Sequence, residues 1–188
     1  MISQLFTAIW IFSCFSSAYP NSDAQADVAW LRAKEAKHEA ATFTSSRIHV
    51  LRLSPQEDLL DSLWRYSRAK NISAATIISC VGSVATANIR YADQEAGSSL
   101  EGPFEIVSLV GNIDLQRSNS PDYSGDGHVH ISCSDSTGTT SGGHLLTGTL
   151  IYTTAEITLL EIVDGLFERK LDDGPTGSGY YELKVYEI

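Results

Sequence analysis

The sequence predicts an α+β fold, a mainly antiparallel β-sheet packed with one main helix, and two patterns predict it. Leu59, Leu60, Leu63 and Trp64 form an apolar stripe at helical spacing. Around this stripe, short stretches either alternate polar with apolar residues or run continuously apolar, and Gly-, Ser-, Asp- and Pro-rich turns separate them. That is the patterning of about six or seven strands. The 188 residues, 43% of them hydrophobic, are enough for one domain with a real core.

The first 26 residues differ from the rest. Leu5 to Phe15 reads LFTAIWIFSCF, uncharged and mostly apolar, and small residues follow at Ser16-Ser17-Ala18 and Ala24-Gln25-Ala26. This is the hydrophobic centre and small-residue exit of a secretory signal peptide, and it is too short to span a bilayer. Its front, Met-Ile-Ser-Gln, lacks the usual Lys or Arg. The expectation is a secreted chain with its signal at 1–26; a chain in which the segment is no signal would be cytoplasmic. Residues 27–46 form a polar, alanine-rich lead-in or linker, and a single compact domain is expected over 47–188.

Within that domain Arg47 to Leu53 (RIHVLRL) alternates as a half-buried strand. The helix is expected to open at Ser54-Pro55-Gln56-Glu57, with Ser54 as cap, Pro55 at the first helical position and Glu57 completing a capping box. It should end near Lys70-Asn71. Ala74 to Val81 is continuously apolar, as in a buried central strand. Gly82-Ser83 is expected to end it, with Ala85 to Tyr91 as a separate partner and Ala92 to Ser99 as a loop. Phe104 to Val110 reads as a strand ended by Gly111-Asn112, and 116–127 as a loop dense in turn residues. His128 to Cys133, a strand-rich stretch from Leu145 to Val163, and a closing strand over Gly179 to Ile188 complete the pattern. The sequence holds no internal repeat, nucleotide-binding glycine fingerprint or nucleophile elbow.

Thirteen basic residues face 23 acidic ones, for a formal charge of −10, and no run of basic residues exceeds two. Phosphate neutralisation supplies most of the affinity of a protein for DNA, so autonomous DNA binding is not expected. Cys80 and Cys133 lie in apolar, strand-like sequence where buried free thiols are common, although an oxidising compartment would permit a disulfide. Asn71-Ile72-Ser73 is a glycosylation sequon, relevant only in the secretory pathway.

The histidines carry the chemistry. His128 and His130 flank Val129 on a strand, so both imidazoles leave the same face with Cβ atoms about 6–7 Å apart. Two rings at that spacing can converge on one ion about 2.0–2.1 Å from each nitrogen. His144 returns fourteen residues after His130, past a hairpin-like turn, and Gly142-Gly143 before it removes side chains that would crowd an ion or a neighbouring backbone. Three neutral imidazoles suit zinc, with other divalent transition metals open, and leave a fourth position for water or a ligand. The competing reading is three histidines with no ion. Glu105 is the candidate carboxylate for a proton-accepting or supporting role, and equally a plain sheet-edge carboxylate; Glu156 is a weaker candidate. His49 reads as a strand-face histidine and His38 as solvated. Asp172-Asp173 with Arg169-Lys170 reads as a solvated turn.

IHVLRL with its helix, ISAATIISCVGSV, LEGPFEIVSLVGNI, HVHIS, GGHLLTGTLIYTTAEITL and TGSGYYELKV, in that order, resemble the plants-and-prokaryotes-conserved (PPC) domain family. The resemblance implies a compact α+β fold assembling as a homotrimer, and its histidine trio matches His128, His130 and His144. The plant form follows AT-hooks, whose Arg-Gly-Arg core is missing here. Where the plant pattern is Gly-Arg-Phe-Glu-Ile, this chain reads Gly102-Pro103-Phe104-Glu105-Ile106. Two functions follow. One is an oligomeric binding or scaffolding module with a structural or regulatory metal. The other is a small metal-dependent enzyme, a hydrolase or lyase acting on a small-molecule ligand through zinc-bound water with Glu105 assisting.

Overall fold

A computed structural model describes residues 40–114, 127–175 and 177–188. The signal-like segment, most of the lead-in and nearly all of the expected 116–127 loop lie outside them. The elements are β1 (Ser46–Leu53), α1 (Leu59–Lys70), β2 (Ala75–Arg90), β3 (Ser98–Ile113), β4 (His128–Ser134), β5 (Thr140–Leu145), β6 (Leu150–Ile162), β7 (Gly165–Leu171) and β8 (Tyr181–Glu187). Six strands make one antiparallel sheet in the order β1-β6-β2-β3-β4-β5. The far end of β2 also pairs with β5, so β2 to β5 close on themselves. The α+β, mainly antiparallel expectation holds.

The helix ends as its sequence predicts and begins later. Asn71 takes the left-handed conformation, its N–H reaches the Arg68 carbonyl, and the Ile72 N–H reaches Ser67. These two bonds are a Schellman stop, a role asparagine fills because it tolerates that conformation. At the other end Asp58, not Ser54, is the cap, its carboxylate accepting the Asp61 N–H at 2.9 Å. Glu57 does reach back to the Ser54 N–H at 2.7 Å, but across a turn in which Gln56 sits at φ 70°. The reason is tertiary: the Gln56 N–H and Glu57 carbonyl pair with Ile151 instead of starting a helix. The apolar stripe then buries Leu59 and Leu63 completely against the sheet, each worth roughly 1.5–3 kcal/mol.

Gly82 does not end a strand. β2 runs through it for 16 residues, with register shifts on both sides of it against β6. A Cβ at Gly82 would lie 2.0 Å from the Thr154 carbonyl oxygen, so glycine permits the close approach of β6. β3 likewise continues through Gly111, where a Cβ would lie 2.2 Å from the His128 carbonyl oxygen. Arg169-Lys170 belongs to a strand, β7, and not to a solvated turn. β8 pairs with β7 in a separate two-stranded sheet and does not close the main one.

One face of the main sheet and α1 enclose the core, in which Val84, Ile89, Ile113, Leu145, Ile151 and Ile157 are essentially inaccessible. The opposite face is uncovered and carries a set of exposed apolar residues: Ile48, Val50, Ile78, Val81, Val107 and Val110, with Val50 at 74%. Cys80 and Cys133 are free thiols. Burial pushes Cys80 up to about 12 and Cys133 to about 11, so both stay protonated and inert at neutral pH.

Candidate metal centre

β4 carries His128 and His130 on one face, and its alternation sends Val129 and Ile131 into the core at 3% exposure each. The Asp135 carboxylate accepts the N–H groups of Thr137 and Thr139, shaping the turn that returns the chain as β5. The hairpin register sets His144 directly opposite His130. Gly142 and Gly143 serve backbone approach: a Cβ would lie 2.7 Å from the Ile131 carbonyl oxygen at the first and 2.5 Å from that of Arg90 at the second. The two glycines thus let β5 wedge between β4 and β2.

The three imidazoles converge. One ring nitrogen from each lies within 4.8 Å of the others, and the ring centroids are 4.9, 5.1 and 5.4 Å apart. The Nε2 atoms of His128 and His130 stand 2.9 Å apart. Tetrahedral coordination with bonds of 2.0–2.1 Å spaces ligand nitrogens by about 3.3 Å, so a few tenths of an ångström would adapt the pair. Burial, followed by the charges of His128, Arg90, His130 and Arg169, pushes His144 down to about 4. His128 is also lowered, by burial first and then by Arg169 and His130, with Glu182 opposing. Both rings are therefore neutral at pH 7, the form that ligates a metal. The Nδ1 of His144 is buried and has no hydrogen-bond partner among the described residues. In donor type and convergence the trio fits a divalent transition metal, and His128 and His130 are exposed to solvent.

The structure does not bring Glu105 to this cluster. Glu105 pairs with Ser134, four residues from His130 along β4, or about 13 Å of strand rise. Glu156 lies opposite Arg52 and Val81 on the uncovered face. His49 is no free surface group: its ring nitrogens meet the Tyr66 hydroxyl at 2.9 Å and the Glu161 carboxylate at 2.8 Å. Arg47 binds the same carboxylate oxygen at 2.6 Å, making a network that ties β1 to β6 and α1. His38 lies outside the described residues. Asn71 is exposed at the helix stop.

Three charged residues near the histidines escaped sequence reasoning. Arg90 is the cross-strand neighbour of His144 on β2. Arg169 of β7, 5% exposed, binds Asp114 at the end of β3, 0% exposed, at 3.2 Å. Burial pushes Asp114 up to about 6 while Arg169 pulls against it. The alternation of GLFERKL was the available signal for a strand through Arg169; its partner, 55 residues away, left none.

A family model described as the Plants and Prokaryotes Conserved (PCC) domain matches residues 40–163. The bifunctional protein GlmU of Synechococcus sp. (strain JA-3-3Ab) is 38% identical over 144 residues, which is 77% of this chain and 21% of that protein. The chain thus spans about a fifth of the length of the curated relatives it matches. Among solved structures, a protein of Salmonella enterica matches with a TM-score of 0.69 and 33% identity, over 80% of this chain and 99% of that one. A metal-containing protein of Archaeoglobus fulgidus matches with a TM-score of 0.62 and 28% identity, over 77% and 98%. Motifs, sheet topology and these matches agree, and the chain belongs to the Plants and Prokaryotes Conserved domain family, the PPC domain of the sequence resemblance.

Proposed function

We propose that this protein binds one divalent transition metal ion, zinc, through His128, His130 and His144, and works as a homotrimeric binding or scaffolding module. The observation that carries the metal reading is the convergence of three imidazole nitrogens to within 4.8 Å across a β-hairpin. The Archaeoglobus relative, described as metal-containing, supports it. Metal analysis of tag-free protein tests it: one ion per chain is expected, and a chain that stays metal-free after zinc addition refutes it.

Self-association is supported by the uncovered sheet face. Six exposed apolar residues, Val50 at 74% and Val81 at 70% among them, lie on β1, β2 and β3 of that face, more than scattered single residues explain. Light scattering should return three times the monomer mass, and a monomer at micromolar concentration counts against it. A net charge of −10 gives no support to autonomous DNA binding. We further propose that the signal-like segment directs the chain to the secretory pathway; the family match begins only at residue 40, leaving that segment outside it. N-terminal sequencing of product from a secreting cell tests this.

The second reading, a hydrolase or lyase, is favoured by one observation: His128 and His130 are solvent-exposed, and three protein ligands leave a coordination position open. A bound zinc ion supplies Lewis acidity and a water acidified to near neutral pH. The three imidazoles would hold the ion, with the charges of Arg169, Glu182 and Arg90 acting on His128. Glu105, about 13 Å away along the strand, is too far for direct assistance. Hydrolysis of ester or amide probes that zinc restores and His130→Ala abolishes would select this reading over the module.

A further inference from the structure

The ladder row that assembles the histidines continues past them. His130 faces His144 across β4 and β5, and His144 faces Arg90 across β5 and β2. Directly opposed residues in an antiparallel ladder share a face, with Cβ atoms about 4.5–5.5 Å apart. The Arg90 side chain therefore leaves the sheet beside His144, on the side of the trio. Its Nη1 donates to the Gln94 carbonyl at 3.2 Å, a neutral acceptor that orients the head group without neutralising it. Arg169 differs: it is 5% exposed and held by the Asp114 carboxylate, whereas Arg90 is half-buried.

A positive side chain beside a cation site opposes cation binding unless an anion completes the charge balance. The ligand set sharpens the point, since three neutral imidazoles leave the full double charge of a zinc ion in place, where carboxylate ligands would cancel it. Arginine also presents a planar fork of N–H donors matched to carboxylate and phosphate oxygens. We propose that Arg90 is a recognition residue for a small oxyanion, a carboxylate or phosphate group, held at the open position of the three-histidine centre. This rests on the metal reading of the trio.

The test uses the full chain loaded with zinc and, in parallel, with cobalt(II), titrated with acetate and with inorganic phosphate. Calorimetry should show binding of at least one probe, and the preferred probe separates a carboxylate from a phosphate ligand. The cobalt absorption should change with the same midpoint, because the anion enters the coordination sphere. Arg90→Gln should keep zinc stoichiometry and thermal unfolding while losing about tenfold or more in anion affinity, the loss of one charge-assisted hydrogen bond. Arg90→Lys should recover part of it and guards against a folding defect in the glutamine variant. Zinc uptake with no binding of either probe, binding without a cobalt shift, or equal affinity in Arg90→Gln overturns the proposal alone. Failure of the wild-type chain to take up zinc overturns the metal reading and this one with it.

Discussion

Asp114→Asn should be among the most damaging isosteric changes available in this chain. Asp114 is 0% and Arg169 5% exposed, and their 3.2 Å contact joins the end of β3 to β7. Replacing the carboxylate with an amide keeps the volume and leaves a guanidinium buried without its counter-charge. Breaking a buried pair in this way costs about 3–5 kcal/mol, because the desolvation already spent on the survivor is no longer offset. A domain of this size loses about 2–4 °C of Tm per kcal/mol, so the fall should be about 6–20 °C. The paired replacement Asp114→Leu with Arg169→Met should recover most of that loss, since apolar packing needs no desolvation to be offset. Thermal and urea unfolding of Asp114→Asn and of the four chains of the Asp114→Leu/Arg169→Met cycle measure all of this. A single variant within about 1 kcal/mol of wild type, with no coupling in the cycle, would refute the picture of a buried, mutually dependent pair.

Zinc at one hundred times its dissociation constant should stabilise the wild-type chain by about 2.7 kcal/mol, and His130→Ala should abolish that increment; differential scanning calorimetry with and without zinc reads it. Zinc uptake should survive acidification better than free imidazole would allow, because burial lowers His128 and holds His144 down near 4; equilibrium dialysis from pH 7 to 4 should show retention through 6.5 and release as pH falls toward about 4. The metal-free chain should also lose stability as pH falls through that window, since its unfolded state takes up protons first. Leu63→Ala, at a fully buried helix position, should cost about 2–5 kcal/mol by urea titration. Val50→Asp on the uncovered face should leave the chain monomeric by light scattering, where the proposed trimer is expected of the wild type, with the circular dichroism unchanged.

Local patterns were legible where local chemistry decides the outcome. His128 and His130 share a face because a strand alternates every two residues, and His144 joins them because the intervening residues form a hairpin. The helix stop at Asn71 follows from one residue's tolerance of the left-handed conformation. Misreadings arose where a distant strand took the hydrogen bonds. Ser54 to Glu57 carries capping chemistry, but the backbone there pairs with Ile151. Gly82 looks like a strand end and is an accommodation to Thr154, 72 residues on. Glu105 looked like a partner for the histidines because nothing in a linear pattern states the β3–β4 register, which sets it opposite Ser134.

The fold class, the apolar helix face, the pair of imidazoles on one strand face and the family are legible along the chain, all properties of short-range periodicity or ordered motifs. What surrounds the imidazoles emerges only once the strands are packed. Closure of β5 onto β2 brought Arg90 beside His144, and packing of β7 buried Arg169 against Asp114. Side-chain alternation is a property of the strand itself, whereas register and sheet closure depend on which distant backbone groups satisfy one another. The ligand geometry was thus readable along the chain, and the charge around it only in three dimensions.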